Sequence, residues 1–213
     1  LVRLLEKLSE IGGIERIRLG SLEPGIVTEE FAAEICALSK VCPHFHLSLQ
    51  SGCDETLRRM NRHYTTAEYR RIVKNLRAAF PGCAITTDIM VGFAGETEEE
   101  FQTSLNFAKE IAFAKVHVFA YSRRPGTKAY TAPDQVPEKV KEERSRVMIA
   151  VTLTTQRAFL RAQVGNTEEV LFEQAADKNV YEGYTGNYTL VRAVSPMPLH
   201  GQLLPVQITE AGE

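Results

Sequence analysis

With 213 residues, 44% of them hydrophobic, the chain has material for one domain of ordinary size and a small second one, each with its own core. A formal net charge of −2 excludes a global electrostatic pull on nucleic acid, so any contact with RNA has to be local. No run approaches the roughly 18 apolar residues that span a bilayer, and no signal-peptide pattern opens the sequence, so the expected setting is cytoplasmic with no membrane.

In chain order, Val2, Leu4, Leu5, Leu8 and Ile11 recur at helical spacing before Gly12-Gly13. The chain thus opens inside an amphipathic helix, a start unusual for a βα protein, and an upstream strand or more is expected to be missing. Arg16 to Ser21 alternates as a strand, and Leu22-Glu23-Pro24-Gly25 reads as a turn. Glu23 lies just past the strand's carboxyl end, where parallel α/β folds bind ligands; capping the next helix is the equally good structural reading. A helix begins at Thr28 with Phe31, Ile35 and Leu38 on its buried face.

In His44 to Gly52, strand geometry puts Phe45, Leu47 and Leu49 on one face and His44, His46, Ser48 and Gln50 on the other. Ser51-Gly52 follows as a turn small enough for close approach of a ligand. Between Arg58 and Arg77 seven basic residues face the single acid Glu68. Thr65 to Glu68 is a capping box followed by an apolar stripe, so Arg70 to Arg77 reads as a solvated helix face and Arg62 as the better ligand candidate. Ile85 to Gly92 alternates again, with Thr86, Asp88, Met90 and Gly92 on its polar row, and runs into Gly92-Phe93-Ala94-Gly95 and a second capping box at Thr97 and Glu100. Lys115 to Ser122 is the fourth strand, its outer row His117, Phe119 and Tyr121, followed by a basic turn.

Strands alternating with helices predict a parallel sheet covered by helices on its apolar face. Four polar rows on the other face fit a barrel interior or cleft holding a polar ligand; a sheet with one wet face is the alternative. The predicted class is therefore α/β, a partial (β/α) barrel over residues 1–132. Pro137 starts a long helix reaching about Arg161, charged from Glu138 to Arg146, within a connector over 133–163. Beyond Gly165 short strands at 168–173, 180–184, 188–194 and 203–209 predict a small all-β barrel over 164–213. After Gln156 the net charge is −3, so RNA binding by this part depends on Tyr181, Tyr184 and Tyr188 stacking or on a local patch.

Cys36, Cys42, Cys53 and Cys83 lack the close pairing of zinc or redox sites and read as buried or idle thiols.

Arg18 to Pro24, Cys42 to Gly52, Met60 to Thr65, Thr87 to Thr97 and Tyr121 to Thr127 together resemble the radical S-adenosylmethionine methylthiotransferases. Glu182 to Tyr188 is similar to that family's small RNA-binding TRAM barrel, and Cys42-Pro43-His44 with Met60-Asn61-Arg62 is most similar to the branch acting on threonylcarbamoyladenosine in tRNA. The resemblance implies S-adenosylmethionine held against a [4Fe-4S] cluster, with tRNA and an electron donor as partners. It places Ser21, Glu23, Gln50, Ser51 and Arg62 around the ribose and methionine, and Asp88, Gly92, Glu96, Phe119 and Tyr121 around the adenine; Asp88 has a buried structural acid as its other reading. Two departures stand out. Ala94 replaces the proline usual between Phe93 and Gly95, and the Cys-x-x-x-Cys-x-x-Cys cluster motif is absent, which predicts a chain inert by itself. An isopentenyladenosine tRNA, a ribosomal protein, or a non-catalytic RNA-binding module are the alternatives.

Overall fold

The computed structural model describes residues 1–212. Four parallel strands, β1 (Ser21–Leu22), β2 (His44–Leu47), β3 (Ala84–Val91) and β4 (Lys115–Ala120), form a sheet in the order β1-β2-β3-β4. Helices α1 (Val2–Ser9), α2 (Glu29–Cys36), α3 (Asp54–Arg59), α4 (Thr66–Ala79) and α5 (Glu98–Ile111) lie between the strands or before them. Phe45, Leu47, Leu49, Ile85, Ile89 and Val91 are buried on one face, packed into a single core with Phe31, Tyr69, Leu76, Phe101 and Phe113. That is the apolar row of the sequence, covered as expected.

Local signals decide the helix starts. Thr28 Oγ1 accepts from the Phe31 N–H at 3.0 Å, and both predicted capping boxes, Thr65 with Glu68 and Thr97 with Glu100, are formed. Each closes otherwise unpaired N–H groups.

The first and second strands are shorter than predicted. Around Arg16 to Ser21 only Ile17 bridges Val41 before β1 begins at Ser21. β2 ends at Leu47: His46 pairs Thr86 and Gln50 pairs Ile89, four residues against three, so β2 carries a bulge. Thr87, buried in the apolar row, bridges it: its hydroxyl donates to Leu47 O and accepts from Leu49 N–H at 2.9 Å. Gln50 leaves the bulge at a φ of 67°, so Ser48 and Gln50 do not continue the polar row of His44 and His46 by strand geometry.

Helix α6 (Glu138–Arg161) packs on β4 and α5 and leads to a second sheet of β5 (Thr167–Asp177), β6 (Val180–Thr185), β7 (Leu190–Val194) and β8 (Leu203–Gln207). This sheet is antiparallel in the order β7-β6-β5-β8, and β7 and β8 are its two edges, so it is curled rather than the closed barrel expected. Its core is small: Val170, Phe172 and Val191, flanked by Tyr181, Leu204 and Val206. No helix among the described residues is long and apolar enough to cross a membrane.

Candidate functional site

The carboxyl ends of the parallel strands carry Glu23, Gln50, Ser51, Gly92 and Tyr121, and Arg62 reaches them from the turn after α3. Asn61 at a φ of 57° lets that turn reverse, and Arg62 Nη1 comes to 3.8 Å from Glu23 Oε2. Arg62 Nε is buried without a partner. Next to it Tyr64 donates to Ser48 O at 2.7 Å and Leu49 O at 2.9 Å, and burial pushes its phenol up to about 12. Three others in the basic stretch are ion-paired, Arg58 with Glu55, Arg59 with Glu100 and Arg70 with Glu110, and Arg77 donates to Ile111 O. Arg62 is thus the member of that stretch placed at the strand ends.

The structure separates the ten predicted positions. Glu23 and Arg62 pair at the rim, and Gln50 is hydrogen-bonded between Asp88 O and Met90 N–H. Ser21, Asp88 and Phe119 stand on or beside the polar row, Ser21 in register with His46 and Phe119 half exposed beside Met90. Ser51, Gly92, Glu96 and Tyr121 are packed inward. The Ser51 hydroxyl accepts from the Cys53 N–H, and a side chain on Gly52 would fall 2.7 Å from Phe107 Cβ. At Gly92 (φ +71°) the vacant side-chain position lies 2.2 Å from Lys141 Cγ of α6, and Gly95 faces Arg59. The room left at Gly52 and Gly92 is therefore taken up by helices α5 and α6. Glu96 accepts from the Gly92 N–H at 2.6 Å and from Arg144 at 2.9 Å, and the Tyr121 ring lies 5.0 Å from that of Phe93, with Lys141 donating to Tyr121 O.

A second arrangement on the polar face has three histidines for which the sequence reading proposed no role. Thr86 Oγ1 lies 3.3 Å from His44 Nε2 and 3.0 Å from His46 Nδ1; His46 Nε2 is 3.3 Å from Asp88 Oδ2, and His117 lies beside His46 at 6.1 Å. The signal was present in the polar rows, but the cross-strand register that joins them is a tertiary fact. Burial, then Arg18 and His46, pushes His44 down to about 4. Its folded value lies below the ordinary 6.5, so its contribution is intact at neutral pH and is lost as pH falls from about 6.5 towards 4, worth about 3 kcal/mol in full. Urea titrations at pH 7 and pH 4.5 should show His44→Gln losing less stability on acidification than the parent chain; equal losses would contradict this reading.

The Radical SAM superfamily profile matches residues 1–108, just over half of the chain. The chain belongs to the radical SAM superfamily. Among its relatives, tRNA-2-methylthio-N(6)-dimethylallyladenosine synthase of Pelotomaculum thermopropionicum is 40% identical over 211 residues, covering 98% of this chain and 47% of the relative. Threonylcarbamoyladenosine tRNA methylthiotransferase of Bacillus subtilis is 36% identical over 215 residues, 99% of this chain and 48% of the relative. This radical SAM chain spans about half the length of the curated relatives it matches. Its fold is similar to that of coproporphyrinogen III oxidase from Escherichia coli, a radical SAM enzyme, with a TM-score of 0.58 at 14% identity over 89% of this chain and 54% of that one.

The superfamily implies S-adenosylmethionine and a [4Fe-4S] cluster. The Glu23 carboxylate and the Arg62 guanidinium, with its unpartnered buried Nε, fit the ammonium and carboxylate of an amino-acid end group. The cysteines do not fit a cluster: all four are free, Cys42, Cys53 and Cys83 are buried, and no group of three metal-ligating side chains occurs among the described residues.

Proposed function

We propose that this chain is the S-adenosylmethionine-binding half of a tRNA methylthiotransferase that places a methylthio group on C2 of threonylcarbamoyladenosine beside the anticodon. The observation that carries the reading is identity of 36–40% across nearly the whole chain to relatives named for tRNA adenosine methylthiolation. The motif around Cys42-Pro43-His44 favours the threonylcarbamoyladenosine substrate; the 40% identity to dimethylallyladenosine synthases favours the second reading. tRNA and an electron donor are the partners, and the cytoplasm is the setting.

In this reading Glu23 and Arg62 take the methionine end, Ser21 and Gln50 lie towards the ribose with the buried Ser51 holding that turn from behind, and Asp88 and Phe119 face the adenine. Gly92, Glu96 and Tyr121 act from behind, through the turn they hold. Cleavage of S-adenosylmethionine is the chemistry that the cluster supplies, and its thiolates are not in this sequence.

Deleting the reading frame that encodes the chain and digesting tRNA for nucleoside mass spectrometry tests the function. Threonylcarbamoyladenosine should accumulate at the expense of its methylthio derivative; accumulation of dimethylallyladenosine would select the second reading, and unchanged methylthio nucleosides would refute both. For the chain itself, calorimetry should give only weak, sub-millimolar to millimolar affinity for S-adenosylmethionine, because no cluster anchors the sulfonium. Micromolar affinity would contradict that expectation.

A further inference from the structure

A cavity of about 950 Å³ lies between the polar face of the parallel sheet and the antiparallel sheet, lined by Arg18, Lys115, His44, His46, His117 and Tyr188 among others. It is open at the foot of the strands, away from Glu23 and Arg62. We propose that this cavity is a polyanion site that takes a row of phosphates, with Arg18 and Lys115 as its two cationic contacts.

Charge is the first argument. The chain is net acidic and its C-terminal part more so, yet the cavity lining carries Arg18, Lys115 and Arg192 against Glu210 alone among the described residues. Arg192 is spent on Glu182 at 2.6 Å. Arg18 and Lys115 form no ion pair or hydrogen bond among the described residues, so their charge is available.

Preorganisation is the second. The Arg18 guanidinium lies 4.1 Å from the centre of the Tyr188 ring, and Tyr188 is stacked on Tyr184 at 4.5 Å and 15°. A guanidinium seated over an aromatic ring keeps N–H groups free for oxyanions, and part of its side-chain entropy is already spent. Neighbouring Arg16 fixes the platform by donating to Tyr184 O and Glu169 O. Tyr188 itself sits at a φ of 64°, a conformation non-glycine residues rarely hold.

The third is an unmet donor or acceptor in the wall. His44 is 4% exposed, its ring lies 5.2 Å from Tyr188, and its Nδ1 is buried with no partner. A buried polar nitrogen left unpaired is costly.

Size points to more than one phosphate. Arg18 precedes β1 at one edge of the sheet and Lys115 opens β4 at the other, three strand spacings or about 14 Å apart at the backbone. One phosphate cannot satisfy both; a single-stranded oligonucleotide or a free polyphosphate can. Of the ten cofactor positions only Ser21 lines this cavity, and neither Arg18 nor Lys115 is among them, so the proposal is tested separately from the methylthiotransferase reading.

The test is fluorescence anisotropy of the intact chain with a labelled mixed-sequence heptaribonucleotide and, in competition, tripolyphosphate, from low to physiological salt. Saturable binding is expected, weakened about threefold to tenfold by Arg18→Gln or Lys115→Gln, each reducing the slope of log K against log salt by roughly 0.7. Lys115 is exposed, so its variant keeps the fold; Lys139→Gln, on the exposed first turn of α6, should bind as the parent does. Oligonucleotide binding sensitive to both variants identifies a strand as occupant, and binding of tripolyphosphate alone with the same sensitivity identifies a free polyphosphate. No binding of either, or binding that both variants leave unchanged, overturns the proposal.

Discussion

Arg144→Ala is expected to destabilise the chain by about 3–5 kcal/mol, because it strands a buried carboxylate. Arg144 is 6% exposed and donates through Nη1 to both the carboxylate and the backbone oxygen of Glu96, at 2.9 and 3.0 Å, and through Nη2 to Glu98 at 3.2 Å. Glu96 in turn holds the Gly92 N–H. Burial pushes the Glu96 carboxyl up, while the Gly92 N–H and the Arg144 guanidinium hold it down. Without the arginine its folded value rises further above that of the unfolded chain. The variant's remaining stability is then best preserved below the unfolded value and is lost as pH rises through the folded one, so the deficit should be larger at pH 8 than at pH 5. For a chain of this size the loss corresponds to roughly 6–20 °C in Tm. Arg144→Met with Glu96→Gln should recover much of it, since the amide carbonyl still accepts from Gly92 and no charge is left unpaired. A single variant costing less than about 1 kcal/mol, or a double variant no better than the single, would show that this pair does not hold the turn.

That pair also marks where the sequence stopped being readable. Period-2 rows in Phe45 to Leu49 and Ile85 to Val91 gave the buried face because only one face of each strand could be apolar, and the Thr65 and Thr97 boxes gave helix starts because their bonds are local. The run Glu138 to Arg146 reads in sequence only as the charged start of a connecting helix, yet Lys141 and Arg144 are buried. Nothing within that run reveals it: Lys141 goes under because Gly92, some fifty residues earlier, leaves room for its stem, and its ammonium ends on Tyr121 O. Glu96 and Gly92 matched the cofactor motif by sequence and are held instead to α6 in space. The histidine cluster was hidden for the same reason, since three strands must come into register before His46, Asp88 and His117 become neighbours. Local pattern fixes which face is polar; long-range packing decides which polar groups remain free to bind.

Gly183→Ala should melt the antiparallel sheet while leaving the parallel one folded. Gly183 pairs Phe172 at the register shift in β5, and a methyl group there would sit 2.4 Å from Leu171 O and 2.8 Å from Phe172 Cα. Both are backbone atoms of the paired strand, so no rotamer change relieves the contact, and the strands must separate or the bulge must move. A cost of about 2–4 kcal/mol follows from overpacking plus lost ladder bonds. The small core of Val170, Phe172 and Val191 has little reserve against such a cost, whereas the larger core around Phe45 and Ile89 does not touch the site. Hydrogen exchange is the measurement that separates the two. Amides of β5 to β8 should lose protection in the variant while those of β3 keep it, and Gly20→Ala, with open space at its side-chain position, should change neither. Because Tyr184 and Tyr188 leave the cavity when this sheet melts, the same variant should lose the phosphate site together with the fold of the antiparallel sheet. Full protection of β5 and β6 in Gly183→Ala would mean that the bulge accommodates a side chain after all.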